Sequence, residues 1–293
     1  MTTAPKSPAA PAGRKPRAHE IDYFGLTHPG KVRKTNQDHF LICELKKQMD
    51  VHLTSLPDPG SLVDAERIAF LAMVADGVGS HHAGEEASRL ALAGVTRYVS
   101  QALHCYYTAD TTDNDTFAQV LEESALQCHQ QLAELGATDR DRRGMATTLT
   151  LWIGIWPYAY LLQVADSRFY LLRNGELTQV SRDQTMAQEL IDQGVFTRTD
   201  AGSTRWANVL SSALGGQQSA PVVTRLEQDW GNVGLLCSDG LTKHVPDEQI
   251  RERLLHMMSA KQVCEDLLHD ALAAGGTDNV TIIVGRDVKK DPD

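Results

Sequence analysis

The stretch "IAFLAMVADGVG" (residues 68–79) joins eight uncharged apolar residues, Ile68 to Ala75, to an aspartate and two glycines. An apolar run of that length without polar alternation fits a strand buried on both faces. Its end places Asp76 at the mouth of the strand. Asp-Gly is among the commonest strand-ending pairs, so the dipeptide alone reads equally well as a plain turn.

The same event recurs along the chain. "VGLLCSDGLT" (233–242) closes on Asp239-Gly240, "AYLLQVADSR" (159–168) closes on Asp166, and "AAGGTDNVTIIVG" (273–285) sets Asp278 just before a strand-like run. Carboxylates gathered at one edge of a sheet repel and raise one another's pKa unless a cation neutralises them. A hard divalent ion such as Mg²⁺ or Mn²⁺, which prefers oxygen ligands, is the economical explanation.

The chain has 293 residues, 42% of them hydrophobic, enough for a substantial core. The candidate ligands run from Asp38 to Asp278, so two independent domains would have to divide one site. The expectation is therefore a single domain over 20–289, preceded by a basic Pro/Ala-rich tail, "MTTAPKSPAAPAGRKPRAH" (1–19), expected to be disordered. A net charge of −10 without a basic stripe argues against nucleic acid as a partner. Five scattered cysteines without a CxxC pair indicate neither a disulfide framework nor a zinc knuckle, and fit a reducing cytoplasm. The longest apolar stretch, "LTLWIGIWPYAYLL" (149–162), is interrupted by Pro157 and falls short of the roughly 20 residues of a membrane span. No secretory leader is visible, so no membrane association is expected.

Helical periodicity marks 85–103, with Ala87, Leu90, Ala91, Gly94, Val95, Tyr98 and Ala102 on one stripe. It also marks 116–136, with Phe117, Leu121, Ala125, Cys128, Leu132 and Leu135. A block of strands follows from "ATTLTLWIGI" to "ELTQVS", and two capped helices precede the last strand. Grouped strands with paired helices predict an α+β layered domain. Segment 46–67 reads as an inserted loop, and 183–207, polar and glycine-containing, as a mobile flap that selects substrates.

In order and spacing, these motifs resemble the bacterial branch of the metal-dependent protein serine/threonine phosphatases of type 2C (PPM), over about residues 21–287. The resemblance rests on "GKVRKTNQD" (30–38), "ADGVGSHHAGEEAS" (75–88), "GMATTLT" (144–150), "VADSRFYLLRNGEL" (164–177), "NVLSSALG" (208–215), "LLCSDGL" (235–241) and "GGTDNVT" (275–281). It implies a central β-sandwich of two antiparallel sheets flanked by helix pairs, a four-layer αββα arrangement. Asp76 would bridge two Mn²⁺ or Mg²⁺ ions, with the Gly77 carbonyl on one and Asp239 and Asp278 on the other. Asp38 would hold a metal-bound water, Arg33 would grip the substrate phosphate, and Asp166, alongside Asp239, would serve a third, weaker ion. The implied activity is hydrolysis of phosphoserine and phosphothreonine in proteins, opposing a bacterial Ser/Thr kinase and acting on its substrates, by a cytoplasmic monomer.

Three positions depart from the bacterial pattern. Ser80 stands for the second glycine of Asp-Gly-x-Gly-Gly, Ala165 for the glycine before Asp-Ser-Arg, and Gln184 where Asp-His is usual after the strand block. They motivate a rival expectation, a catalytically weak pseudophosphatase that binds phosphoproteins as a scaffold. His81 and His82 read as helix-start or loop residues, since oxygen-rich sites for hard ions seldom use imidazole. Asp183 is expected to cap the flap.

Overall fold

In the computed structural model the described residues are 13–47, 66–79, 81–108, 114–197 and 204–289. Residues 1–12 of the expected tail, 48–65 of the expected 46–67 loop, 198–203 of the expected flap and Ser80 lie outside them. Residues 13–19 lie against the body of the domain. There Arg14 pairs with the buried Glu20, Lys15 donates to the Arg67 carbonyl, and Arg67 donates to the carbonyl of Pro16.

Eleven strands form two antiparallel sheets among the described residues. One sheet orders β1 (Ile21–His28), β11 (Val280–Asp287), β10 (Val233–Cys237), β7 (Arg168–Arg173) and β8 (Glu176–Gln179). The other orders β2 (Asp38–Lys47), β3 (Glu66–Val78), β5 (Leu149–Ile155), β6 (Tyr158–Val164) and β9 (Val222–Glu227), with the two-residue β4 (Ala146–Thr147) beside the end of β3. Helices α1 (His81–Thr108) and α2 (Asn114–Thr138) cover the second sheet. The helices at Asp247–Leu255 and Ala260–Ala273 cover the first. This is the expected four-layer αββα sandwich.

The layers explain the uninterrupted apolar run of β3. Successive strand residues face opposite sides. Ala69, Leu71, Met73 and Ala75 pack under α1 and α2, while Ala72 and Val74 face Phe169, Leu236 and Ile283 between the sheets. Both faces are therefore apolar. Phe169, 2% exposed in that thin central layer, is the sort of ring whose truncation to alanine costs about 3–5 kcal/mol.

Helix α1 lies close to β3 because its sheet-facing residues repeat every fourth position. These are Ala83, Ala87, Ala91, Val95, Val99 and Leu103, all buried, and they are smallest at the end nearest Asp76. The stripe expected from sequence merged two faces. Ala87, Ala91 and Val95 look at the sheet, whereas Gly94 and Tyr98 look at α2, where Gln127 donates to the Tyr98 hydroxyl. For α2 the expected residues Phe117, Leu121, Ala125, Cys128 and Leu132 are all buried, with Leu135 packed beside them.

Strands β1 and β9, the four-residue helix Asp239–Thr242 and a helix within the flap escaped the sequence reading. In β1, Asp22 and Gly25 break the hydrophobic pattern, and the strand is fixed by its register with β11, Gly25 opposite Ile283. A Cβ on Gly25 would stand 2.8 Å from the Phe40 ring, so the absent side chain lets the two sheets close. Strand β9 carries exposed residues along one edge and is held by pairing with β6. Within the flap, Met186–Asp192 forms a short helix, α3, capped by the Thr185 hydroxyl accepting from Gln188 N.

Candidate metal centre

Strand β3 does not stop at Asp76. It runs on to Val78, exchanging β5 for β4 as its partner after Val74. Gly77 is a close-approach glycine there, since a Cβ would sit 2.1 Å from the Gly84 carbonyl oxygen. Gly240 plays the same part after Asp239, where a Cβ would fall 1.9 Å from the carbonyl oxygen of Asn279. Both Asp-Gly pairs thus mark places where two backbones converge beside a carboxylate.

Asp38 opens β2 directly opposite Asp76 in the β2–β3 register, an arrangement that sets Cβ atoms about 4.5–5.5 Å apart. The Asp76 peptide is gripped on both sides. Its N–H donates to Thr148 Oγ1 at 2.9 Å, and its carbonyl accepts from Thr147 Oγ1 at 2.8 Å and from Thr148 N at 2.9 Å. Thr148 also hydrogen-bonds Ser167 at 2.7 Å, tying the end of β3 to the Asp166–Ser167 turn.

From the other sheet, Ser238 Oγ and Thr281 Oγ1 each donate to Asp38 Oδ2 at 2.7 Å. Asn279 fastens the loop that carries Arg33. Its amide donates to the carbonyls of Pro29 and Thr35, and its oxygen accepts from Gln37 N. Arg33 then meets Asp278, Nε at 2.8 Å from Oδ1 and Nη2 at 3.0 Å from Oδ2, while half of its side chain stays exposed. Lys243 reaches Asp239 Oδ2 at 2.6 Å and Asp278 Oδ2 at 2.9 Å.

Asp38, Asp76, Asp166, Asp239 and Asp278 act on one another electrostatically, and the consequences follow burial and charge. Burial, opposed by the Ser238 and Thr281 hydroxyls and helped by Asp239, pushes Asp38 up to about 6. Burial and then the charges of Asp38, Asp239, Asp166 and Asp278 hold Asp76 well above the usual carboxylate range. Asp166 rises to about 7 through burial, Asp239 and Asp183. Asp239 is raised by burial although Lys243 pulls it back. Asp278 alone is lowered, because hydrogen bonds from Arg33 and Lys243 outweigh its burial.

The donor set fits hard divalent cations. It consists of oxygen, it is acidic, and two of its buried atoms, Asp38 Oδ1 and Asp239 Oδ1, accept no hydrogen bond. Among the described residues, no three acidic, imidazole or thiol side chains already enclose a point as an ion would require. The Lys243 ammonium stands between Asp239 and Asp278 instead. His82 is exposed in the first turn of α1, away from any ligand role.

Asp183 does not cap the flap helix, a role taken by Thr185. Its carboxylate accepts from Arg168 Nε at 2.9 Å and Nη2 at 2.7 Å, and Arg168 also donates to the Tyr170 hydroxyl, which donates to Asp247. The flap rises over an open cleft of about 980 Å³ lined by Asp166, Asp239, Lys243 and flap residues such as Gln188 and Ile191. Sequence reading missed Lys243, Ser238, Thr281 and Asn279. The available signal was nearness in sequence, since Ser238 adjoins Asp239 and Asn279 adjoins Asp278, with Lys243 and Thr281 within four residues of them.

Two antiparallel sheets sandwiched between helix pairs, with acidic residues collected at one rim, define the architecture of the type 2C phosphatases. The chain belongs to that family, since residues 57–274 match the family profile described as Protein phosphatase 2C. It is 36% identical over 216 residues to the Serine/threonine protein phosphatase PstP of Mycobacterium tuberculosis, covering 74% of this chain and 40% of that protein. The chain thus spans less than half the length of that relative. It is 30% identical over 231 residues to the Serine/threonine phosphatase stp of Listeria welshimeri, covering 78% of this chain and 88% of that protein. A crystal structure of the M. tuberculosis phosphatase PstP/Ppp superposes with a TM-score of 0.73 at 30% identity, covering 92% of this chain and 99% of that one. The PstP catalytic domain in complex with two manganese ions superposes with a TM-score of 0.68 at 30% identity, covering 92% and 99%.

Proposed function

We propose that this chain hydrolyses phosphoserine and phosphothreonine in proteins, with residues 20–289 as the catalytic unit. Asp38, Asp76, Asp239, Asp278 and the Gly77 carbonyl hold two Mn²⁺ or Mg²⁺ ions in this reading, and Asp166 with Asp239 serves a third, weaker one. The observation that carries it is the meeting of Asp38 and Asp76 across one register, with a buried oxygen of Asp38 left without a donor. Bound divalent ions of this kind supply charge neutralisation for the phosphoryl oxygens and a more acidic water.

The protein's own groups do the positioning. Ser238 and Thr281 occupy Oδ2 of Asp38 and leave Oδ1 free to accept a proton or orient water. Arg33 stands at the exposed mouth as a planar fork matched to a phosphate, once it exchanges Asp278 for the substrate. The flap and its cleft supply room for the protein chain around the phosphoresidue.

The partners in this reading are phosphorylated proteins, including a bacterial Ser/Thr kinase and its substrates, met by a cytoplasmic monomer. Cys43, Cys128, Cys237 and Cys264 are all free, in keeping with a reducing compartment, and no described helix is long and apolar enough to cross a membrane. Nothing in the site favours the scaffold alternative. The deciding experiment is turnover of p-nitrophenyl phosphate and of phosphothreonine peptides with Mn²⁺. Activity abolished by EDTA and restored by Mn²⁺ is expected, and a folded, Mn²⁺-saturated protein without turnover would overturn the reading.

A further inference from the structure

Lys243 follows Asp239 by one helical turn, and its ammonium is held between Asp239 and Asp278, carboxylates from segments almost forty residues apart. Burial disfavours the charge on Lys243, yet the two carboxylates more than reverse this and raise its pKa. At 2.6 and 2.9 Å from their oxygens, the ammonium occupies the space an ion shared by the pair would need. A divalent ion binds carboxylate oxygen at about 2.0–2.6 Å, so the two cannot be seated together.

We propose that Lys243 is a built-in competitor for the metal position formed by Asp239 and Asp278. Its ammonium neutralises the pair in the metal-free protein and withdraws when an ion enters. The proposal rests on the metal-centre reading above and adds an asymmetry to it. Among the described residues no ammonium or guanidinium makes an ion pair with Asp76, which with the Gly77 carbonyl serves the other position, so that position fills first. The Asp239–Asp278 position fills second and more weakly.

Withdrawal is sterically open. The Lys243 side chain is 31% exposed and borders the cleft beneath the flap, so a few rotations of its stem carry the ammonium into solvent. If the ammonium occupies the pair about nine-tenths of the time, the apparent affinity of the second ion falls about tenfold. The same contact stabilises the metal-free fold by relieving repulsion between Asp239 and Asp278.

Calorimetric titration of the metal-free full chain with Mn²⁺ tests this without any turnover assay. Lys243→Gln is expected to tighten the weaker binding event about tenfold, and to lower the melting temperature of the metal-free protein. Lys243→Arg, which keeps the charge, is expected to bind Mn²⁺ as wild type does. In wild-type protein, Mn²⁺ is expected to increase acetylation of Lys243 by acetic anhydride, read by mass spectrometry, because the amine is released from its ion pairs. Unchanged or weakened Mn²⁺ binding in Lys243→Gln, or Lys243 labelling indifferent to Mn²⁺, would overturn the competitor role while leaving the metal centre standing. No Mn²⁺ binding by any form would overturn the metal centre and the competitor together.

Discussion

Gln184 clasps the backbone of Ala165: its side-chain oxygen accepts from Ala165 N at 2.7 Å, and its own N–H donates back to the Ala165 carbonyl at 3.0 Å. Ala165 is fully buried at φ +80°, a conformation that costs a non-glycine residue about 1–2 kcal/mol. Two of the family departures thus meet in one contact, immediately before Asp166. The Gln184 amide also donates to the Ala220 carbonyl at 2.7 Å.

The expected outcome for Gln184→Ala is a loss of about 1–3 kcal/mol, since a buried backbone N–H and a carbonyl each lose a partner. Ala165→Gly should instead be neutral or stabilising by up to about 1 kcal/mol, as relief of the left-handed strain offsets the entropy of glycine. Urea denaturation of the metal-free proteins measures both. A destabilised Ala165→Gly would show that the alanine methyl packs better than the backbone strain suggests.

Asp38 makes the metal-free protein sensitive to pH in a definite direction. Its folded pKa of about 6 lies above the ordinary 3.8, so the native state holds a proton that the unfolded chain has released between those values. The stability cost is absent below about pH 4, grows through pH 4–6 and is complete above it, reaching on the order of 3 kcal/mol. Metal-free Asp38→Asn should therefore be more stable than wild type at pH 8, with the advantage gone by pH 4. Paired denaturation curves across that range are the check, and an advantage independent of pH would remove the assigned cause.

Asp76 stands in the repulsion of all four other carboxylates, so its charge is tolerated only with cations nearby. Asp76→Asn should lower Mn²⁺ affinity measurably and reduce turnover of p-nitrophenyl phosphate by about a thousandfold or more, equivalent to some 4 kcal/mol. Retention of full activity in that variant, with Mn²⁺ bound as before, would exclude it as the shared ligand.

The flap is anchored at its base by the Thr185–Leu210 bridge, Met186 N donating to the Val209 carbonyl, and Ser211 N donating to the Gln184 carbonyl. Replacing the segment between Met186 and Val209 by a short glycine-containing link keeps that base. Selectivity among phosphoproteins should change while p-nitrophenyl phosphate is hydrolysed at a rate within a few-fold of wild type. Equal losses on both substrates would assign the flap a structural role.

The acidic residues at the ends of apolar runs, the stripe of α2 and an α+β layered domain were legible because they depend on residues close in sequence and on the periods of strands and helices, whereas the αββα arrangement itself was implied by the family resemblance. The uninterrupted apolar run of β3 already implied two buried faces, which the helix layer and the second sheet supply. Strand β1, strand β9 and helix α3 were not legible, because long-range pairing or the anchored base of the flap holds them where local pattern does not.

Read from its residues alone, the chain singled out Asp76, Asp166, Asp239 and Asp278 at the ends of strand-like runs, while Asp38 and Arg33 entered through the family resemblance. Tertiary structure alone decided which hydroxyls orient Asp38, which carboxylates Lys243 joins, and that the Asp-Gly glycines serve close approach of backbones instead of turns. Thr281 and Asp38 are 243 residues apart, and no period or motif encodes a distance between them. Such contacts exist only after the two sheets have closed on their shared apolar layer, because hydrogen bonds and ion pairs act over a few ångströms and have no counterpart in sequence separation.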